Sequence, residues 1–150
     1  MRKTSRINNK LILLILLFSL ATLFIIRSAV VRGSGLPKVT GIPDIVIFLS
    51  SFGWEVEPEP VTTKNVQIPA KFSPVYERYN ELQKKQGFDL SRSRADIVES
   101  YTFRVLNHPV GTDNDVFANV LVSRGRIIGG DICSFAVEGF MTSFDGLTHN

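Results

Sequence analysis

Residues 11–26, LILLILLFSLATLFII, form an uncharged and almost wholly apolar run between Lys10 and Arg27, behind a ten-residue head that carries Arg2, Lys3, Arg6 and Lys10 and no acid. That pattern is a membrane signal. A helix needs about 20 residues to cross a ~30 Å hydrocarbon core. Residues 11–26 fall slightly short, but Arg27 can snorkel and Ser28 to Val31 complete a span of residues 11–31, closed by Arg32. A cleaved signal peptide has a shorter apolar core followed by a small-residue site. Here Ala29-Val30-Val31 places a branched residue where a small one is wanted, so the sequence favours a retained signal-anchor. No Cys follows at a point where a lipid-anchored form would be processed.

Lys and Arg in excess stay on the cytoplasmic side. The expectation is a single-pass cell-membrane protein with residues 1–10 cytoplasmic, the bilayer as its first partner, and everything after the span extracytoplasmic. Six of the seventeen Lys and Arg lie in residues 1–32, which contain no acid, so the remainder carries eleven bases against fourteen acids. The outer part is mildly acidic despite the basic whole, which gives no electrostatic basis for binding nucleic acid.

Residues 32–41 mix Gly, Ser and Pro without apolar period and read as a juxtamembrane linker. Residues 42–150 suffice for one domain with its own core. Pro43 suits a first helical turn and Gly53 a C-terminal cap, with Ile45, Phe48, Leu49 and Phe52 on one face between them. Trp54 to Pro60 then alternates, with Glu55, Glu57 and Glu59 on one side. Its prolines make it an edge strand or an extended arm, and its carboxylates suit a solvated edge better than a calcium cage, which would want Asn, Gly or further Asp nearby. Asn65 to Pro69 reads as a short strand. Ser73 caps a helix that starts at Pro74 and ends before Gly87, with an apolar stripe of Val75, Tyr76, Tyr79 and Leu82 and a Glu81 to Lys85 pair on the other face. Ser91 to Arg94 reads as a solvated basic loop.

From Ile97 the period becomes that of strands: 99–107, 116–122 and 127–137, the last two joined by a tight hairpin at Ser123 to Arg126. Gly129-Gly130 suggests a bulge or the close approach of another backbone. Gly139 to Met141 marks the end of the ordered part. The predicted fold is α+β: an N-terminal transmembrane helix, then two helices on a mainly antiparallel sheet of about five strands.

Reactive side chains are few. Cys133 is the only Cys, so no intramolecular disulfide can form. As a nucleophile it would need a base in reach, and His108 is the candidate, since His149 lies in the tail. Asp131, beside Gly130, could hold a ligand or satisfy a bulge. Asp131, Cys133 and His108 are therefore the positions to test. The pattern assigns no catalytic residue, no cofactor and no metal site, because two His and one Cys far apart do not make a zinc site.

Phe48-Leu49-Ser50-Ser51-Phe52-Gly53-Trp54-Glu55-Val56, Leu82 to Leu90, Tyr101-Thr102-Phe103-Arg104-Val105 and Gly129-Gly130-Asp131-Ile132-Cys133-Ser134 together resemble an uncharacterised family of short single-pass membrane proteins of Gram-positive spore-forming bacteria, grouped as a domain of unknown function. The resemblance implies one membrane-anchored extracytoplasmic α+β domain and supplies no activity. Residues 43–90 also resemble, in their order of helix, two strands and helix, ring-building domains of secretion and sporulation channels. The expected function is an interaction or assembly module of the cell envelope or of sporulation. Its partner would be an unidentified envelope protein or a second copy. The alternative is a small envelope enzyme or ligand sensor using Cys133 or Asp131.

Overall fold

The structure, a computed structural model, describes residues 35–109, 116–136 and 139–146. The expected cytoplasmic head, the span at 11–31 and His149 lie outside these residues. No described helix is long and apolar enough to cross a membrane.

Helix α1 covers Ile42–Ser51. Thr40 donates to Asp44 Oδ2 from both its backbone N and its Oγ1, each at 2.7 Å, which fixes the first turn in place of a side-chain N-cap. Gly53, at φ +90°, turns the chain out of the helix. Ile45, Phe48 and Leu49 are buried, as the three-and-four spacing predicts. The next segment is an extended arm that makes one isolated bridge, Val56 to Val105, with Glu57 N donating to Arg104 O at 3.0 Å. Strand β1, Thr62–Gln67, starts earlier than the sequence predicts, and Ile68 beyond it is fully buried. A single strand therefore separates the two helices, which does not match the two-strand order of ring-building domains.

Helix α2, Pro74–Lys85, is capped by Ser73, whose side chain accepts from Tyr76 N at 3.2 Å. A 3-10 turn at Leu90–Ser93 comes next, then β2 (Ile97–Arg104), β3 (Val116–Ser123), β4 (Arg126–Ser134) and β5 (Met141–Thr142). The sheet is an antiparallel meander in the order β1-β2-β3-β4-β5. Arg124 and Gly125, at φ +51° and +66°, form the two-residue turn between β3 and β4, matching the right-handed strand twist. Val122 pairs with Ile127 and Leu121 with Gly129, so Ile128 is the bulged residue, just before the glycines.

Alternation along the strands sorts the core into two layers. Phe103, Val116, Ala118, Val120 and Ile132 pack with Ile45, Phe48 and Leu49 of α1 on the first face. Val98, Leu121 and Ile128 pack with Ile68, Phe72 and Leu90 on the second face, bordered by Tyr76 and Tyr79 of α2. The two helices thus cover opposite faces of the five-stranded sheet, and the α+β expectation holds. One expectation fails: order does not end at Met141, because β5 pairs with β4 and Phe144 is fully buried against Phe48, Phe52 and Phe88.

Candidate functional site

The inward face of α2 is polar, which its apolar stripe does not reveal. Val75 is 67 % exposed, whereas Asn80 and Gln83 are buried. Asn80 braces the 3-10 turn beyond the helix: its Oδ1 accepts from Leu90 N at 2.8 Å, and its Nδ2 donates to Asp89 Oδ1 at 3.1 Å. Gln83 Oε1 accepts from Gly130 N at 2.8 Å, and Gln86 Nε2 donates to Gly130 O at 3.1 Å. Gln86 Oε1 in turn accepts from Phe144 N at 2.7 Å. Ile132 pairs with Thr142, so extending that register sets Phe144 opposite Gly130. There the Gln86 amide stands between the two chains and supplies the hydrogen bonds that a direct strand contact would have made. Gly130, at φ +152°, is required at this point, since a Cβ would overlap the Asn119 carbonyl oxygen and the Phe144 ring. This is the close backbone approach expected from the Gly-Gly pair.

Asp131 lies next to this clamp, in a row that crosses the second face of the sheet. Thr102 pairs with Asn119, and Asn119 with Asp131, which aligns the three side chains. Thr102 Oγ1 donates to Asn119 Oδ1 at 2.8 Å. Asn119 Nδ2 donates to Asp131 Oδ1 at 2.9 Å and to Cys133 Sγ at 3.2 Å. From the helix, Tyr79 OH donates to Asp131 Oδ2 at 2.8 Å. Burial pushes the Asp131 carboxyl above its ordinary value, although the bonds from Asn119, Tyr79 and Cys133 pull it the other way. Burial, reinforced by the neighbouring Asp131 charge, holds the Tyr79 phenol well above its usual range. The same two causes push the Cys133 thiol up to about 12.

A thiol in that state is inert as a nucleophile, because the thiolate is the reactive form. Nor does the structure bring His108 to it. His108 stacks between Trp54 and Phe140, with ring centroids 5.5 and 5.0 Å away, and both of those rings pack against the first-face core. Cys133 pairs with Phe117 and, like Asn119 and Asp131, faces the other side. Burial lowers the His108 pKa. Asp131 and Cys133 are thus together, as neighbours on one face that share the Asn119 donor, while His108 belongs to an aromatic stack elsewhere. Sequence reading missed Tyr79 and Asn119 as partners of Asp131, Thr102 as a partner of Asn119, and Gln83 and Gln86 as partners of Gly130. The signal for the two glutamines was the amide-rich i, i+3 spacing of Asn80, Gln83 and Gln86. Among the described residues, no group of three His, Cys, Asp or Glu side chains is placed to hold a metal ion.

The row continues one step further along the strands as Arg104, Phe117, Cys133 and Met141, paired successively across β2 to β5. Exposure rises toward the edge of this row, although Cys133 itself is buried. Phe135 is 72 % exposed and packs against Phe117 at 5.6 Å, Met141 is half exposed, and the Arg104 guanidinium lies 5.2 Å over the Phe117 ring.

The model of one known family matches residues 48–132, from within α1 to near the end of β4, and so takes in Tyr79, Gln83, Gln86, Asn119 and Asp131. No curated protein and no solved structure matches the chain. The match covers more than half of the sequence, so the chain belongs to the family described as a domain of unknown function, DUF4830.

Proposed function

We propose that the chain is a membrane-anchored extracytoplasmic interaction module of the cell envelope, held with its N-terminus inward by residues 11–31, and that its docking surface is the exposed edge of the second sheet face. The observation that carries this reading is the exposed pair Phe135 and Met141 beside the half-buried Phe117 and Arg104. Aromatic, Met and Arg side chains are the types enriched where proteins meet. The occupant would be an apolar segment of a neighbouring envelope protein, and tethering both to one membrane lets a weak contact serve. The alternative, an enzyme or sensor built on Cys133 or Asp131, has less support, because the thiol is buried with its pKa pushed up and the carboxylate is occupied by three donors.

Site-specific photocrosslinking in native membranes tests the reading. A crosslinker at Phe135 should give a discrete adduct that Met141→Glu abolishes. A crosslinker at Val75, equally exposed on α2, should not give it. The same products from both positions, or an adduct indifferent to Met141→Glu, would remove the docking surface.

A further inference from the structure

The segment read as a linker is partly built into the domain. Ile127 N donates to Pro37 O and Val39 N to Gly125 O, each at 2.9 Å, around an antiparallel bridge from Lys38 to Arg126. Arg126 Nη1 also donates to Leu36 O at 2.9 Å. The chain therefore joins the domain at the β3–β4 turn. Only residues 32–34 separate Gly35 from the end of the apolar run at Val31, a reach of about 14 Å at full extension.

Charge divides along the strands. At the turn end, Arg92 and Arg124 are each 86 % exposed and form long ion pairs with the more recessed Asp89 and Asp96, at 3.8 and 3.7 Å. Lys38 and Arg126 flank the turn, and Lys84 shares a shallow cleft with Arg92 and Leu36. Lys84, paired with Glu81 at 2.8 Å, is less exposed than Arg92 and Arg124, whose ion pairs are longer. At the other end of β2, where Glu57 N bonds Arg104 O, the arm presents Glu55 and Glu59, with Glu57 3.6 Å from the Arg104 guanidinium. The domain as a whole is acidic, yet at the tethered end the exposed Lys38, Arg92, Arg124 and Arg126 stand against the exposed acid Glu99 and the recessed Asp89 and Asp96.

We infer that the β3–β4 turn is the membrane-facing surface of the domain, and that Lys38, Arg92, Arg124 and Arg126 meet the phosphates of anionic lipid headgroups there. The inference rests on the anchored reading proposed for residues 11–31. Short-range attraction of a guanidinium to an anionic bilayer is worth on the order of five-fold in occupancy per residue, enough to hold one face toward the lipid when the tether already sets the distance. The acidic arm then points outward, which like-charge repulsion from the same surface reinforces.

The full chain, reconstituted into nanodiscs of phosphatidylcholine or of an equal mixture with phosphatidylglycerol, tests this by NMR with a spin label on the lipid headgroups. In the mixed discs the amides of Lys38, Arg92, Gly125 and Arg126 should broaden and those of Glu55, Glu57 and Glu59 should not. Arg92→Gln with Arg124→Gln should lower the bias toward that face by on the order of ten-fold or more. Equal broadening at both ends, or broadening centred on the acidic arm, would overturn the orientation. Broadening of the turn that ignores both phosphatidylglycerol and the two substitutions would overturn lipid recognition. A chain that does not co-migrate with the discs would instead overturn the anchor itself.

Discussion

Tyr79→Phe removes one oxygen and leaves the ring in place, so its cost isolates the helix-to-sheet hydrogen bond at the centre of the buried row. The phenol donates at 2.8 Å to Asp131 Oδ2, and Asp131 is buried. Deleting the donor leaves no cavity and deprives a buried carboxylate of a partner, which costs about 1.5–3 kcal/mol when the acceptor is charged. For a domain near a hundred residues that is a fall in melting temperature of about 5–15 °C. Asp131→Asn can keep both bonds, its oxygen accepting from Asn119 and its amide donating to the Tyr79 hydroxyl. In that background the same Tyr79→Phe change removes only a neutral bond, about 0.5–1.5 kcal/mol. Chemical denaturation of the four proteins of this cycle, each comprising residues 34–150, which form a unit of their own, should give a coupling of about 1 kcal/mol. The pH dependence has a definite sign. Because the folded carboxyl of Asp131 is raised, the native state keeps its proton where the unfolded state has lost it, so this group's contribution falls as pH rises from 3.8 through the raised folded value. Asp44 and Asp89, both lowered by hydrogen bonds to Thr40 and Ser91, act in the opposite sense at lower pH, and subtracting the Asp131→Asn curve removes them. A Tyr79→Phe cost below about 0.5 kcal/mol, or a parent curve that parallels Asp131→Asn, would refute the reasoning.

Phe144→Ala should destabilise the domain by about 3–5 kcal/mol, since its fully buried ring meets Phe48, Phe52 and Phe88; a loss near zero in thermal melting would return residues beyond Met141 to a dispensable tail. Gly130→Ala combines a disallowed φ with overpacking against Asn119 and Phe144, together about 3–5 kcal/mol, and expression as a cooperatively melting domain would contradict the clamp. Cys133, buried with its thiol pushed up to about 12, should react with a thiol reagent slowly when folded and quickly in denaturant; comparable rates in both states would restore a reactive-thiol reading.

The sequence made the skeleton legible where one physical signal dominated. Ile45, Phe48 and Leu49 declared α1 by spacing, and Arg124-Gly125 declared the hairpin, because only a turn with positive φ fits between those strands. In α2 the signal misled. Apolar periodicity selected Val75, which is exposed, and overlooked Asn80 and Gln83, because a helix can be held to a sheet by amides that satisfy backbone groups as well as by apolar contact. Glu81 pairs with Lys84 at 2.8 Å. Phe144 was invisible for a related reason: the two residues of β5 carry no strand period, and the seating of Phe144 depends on Gln86 reaching across from another element. Of the three candidate positions, Asp131 and Cys133 share a face because residues two apart on one strand point the same way. His108 falls elsewhere because Trp54 and Phe140, distant in sequence, enclose it.

The proposed placement of this domain outside the cell on a membrane tether is tested most directly by accessibility. Ile97 is 71 % exposed at the start of β2, so Ile97→Cys offers a reactive thiol against the slow background of buried Cys133. An impermeant thiol reagent should label the membrane-fractionated variant in intact cells as fully as after lysis. Labelling that appears only after lysis would place the domain inside and contradict the account.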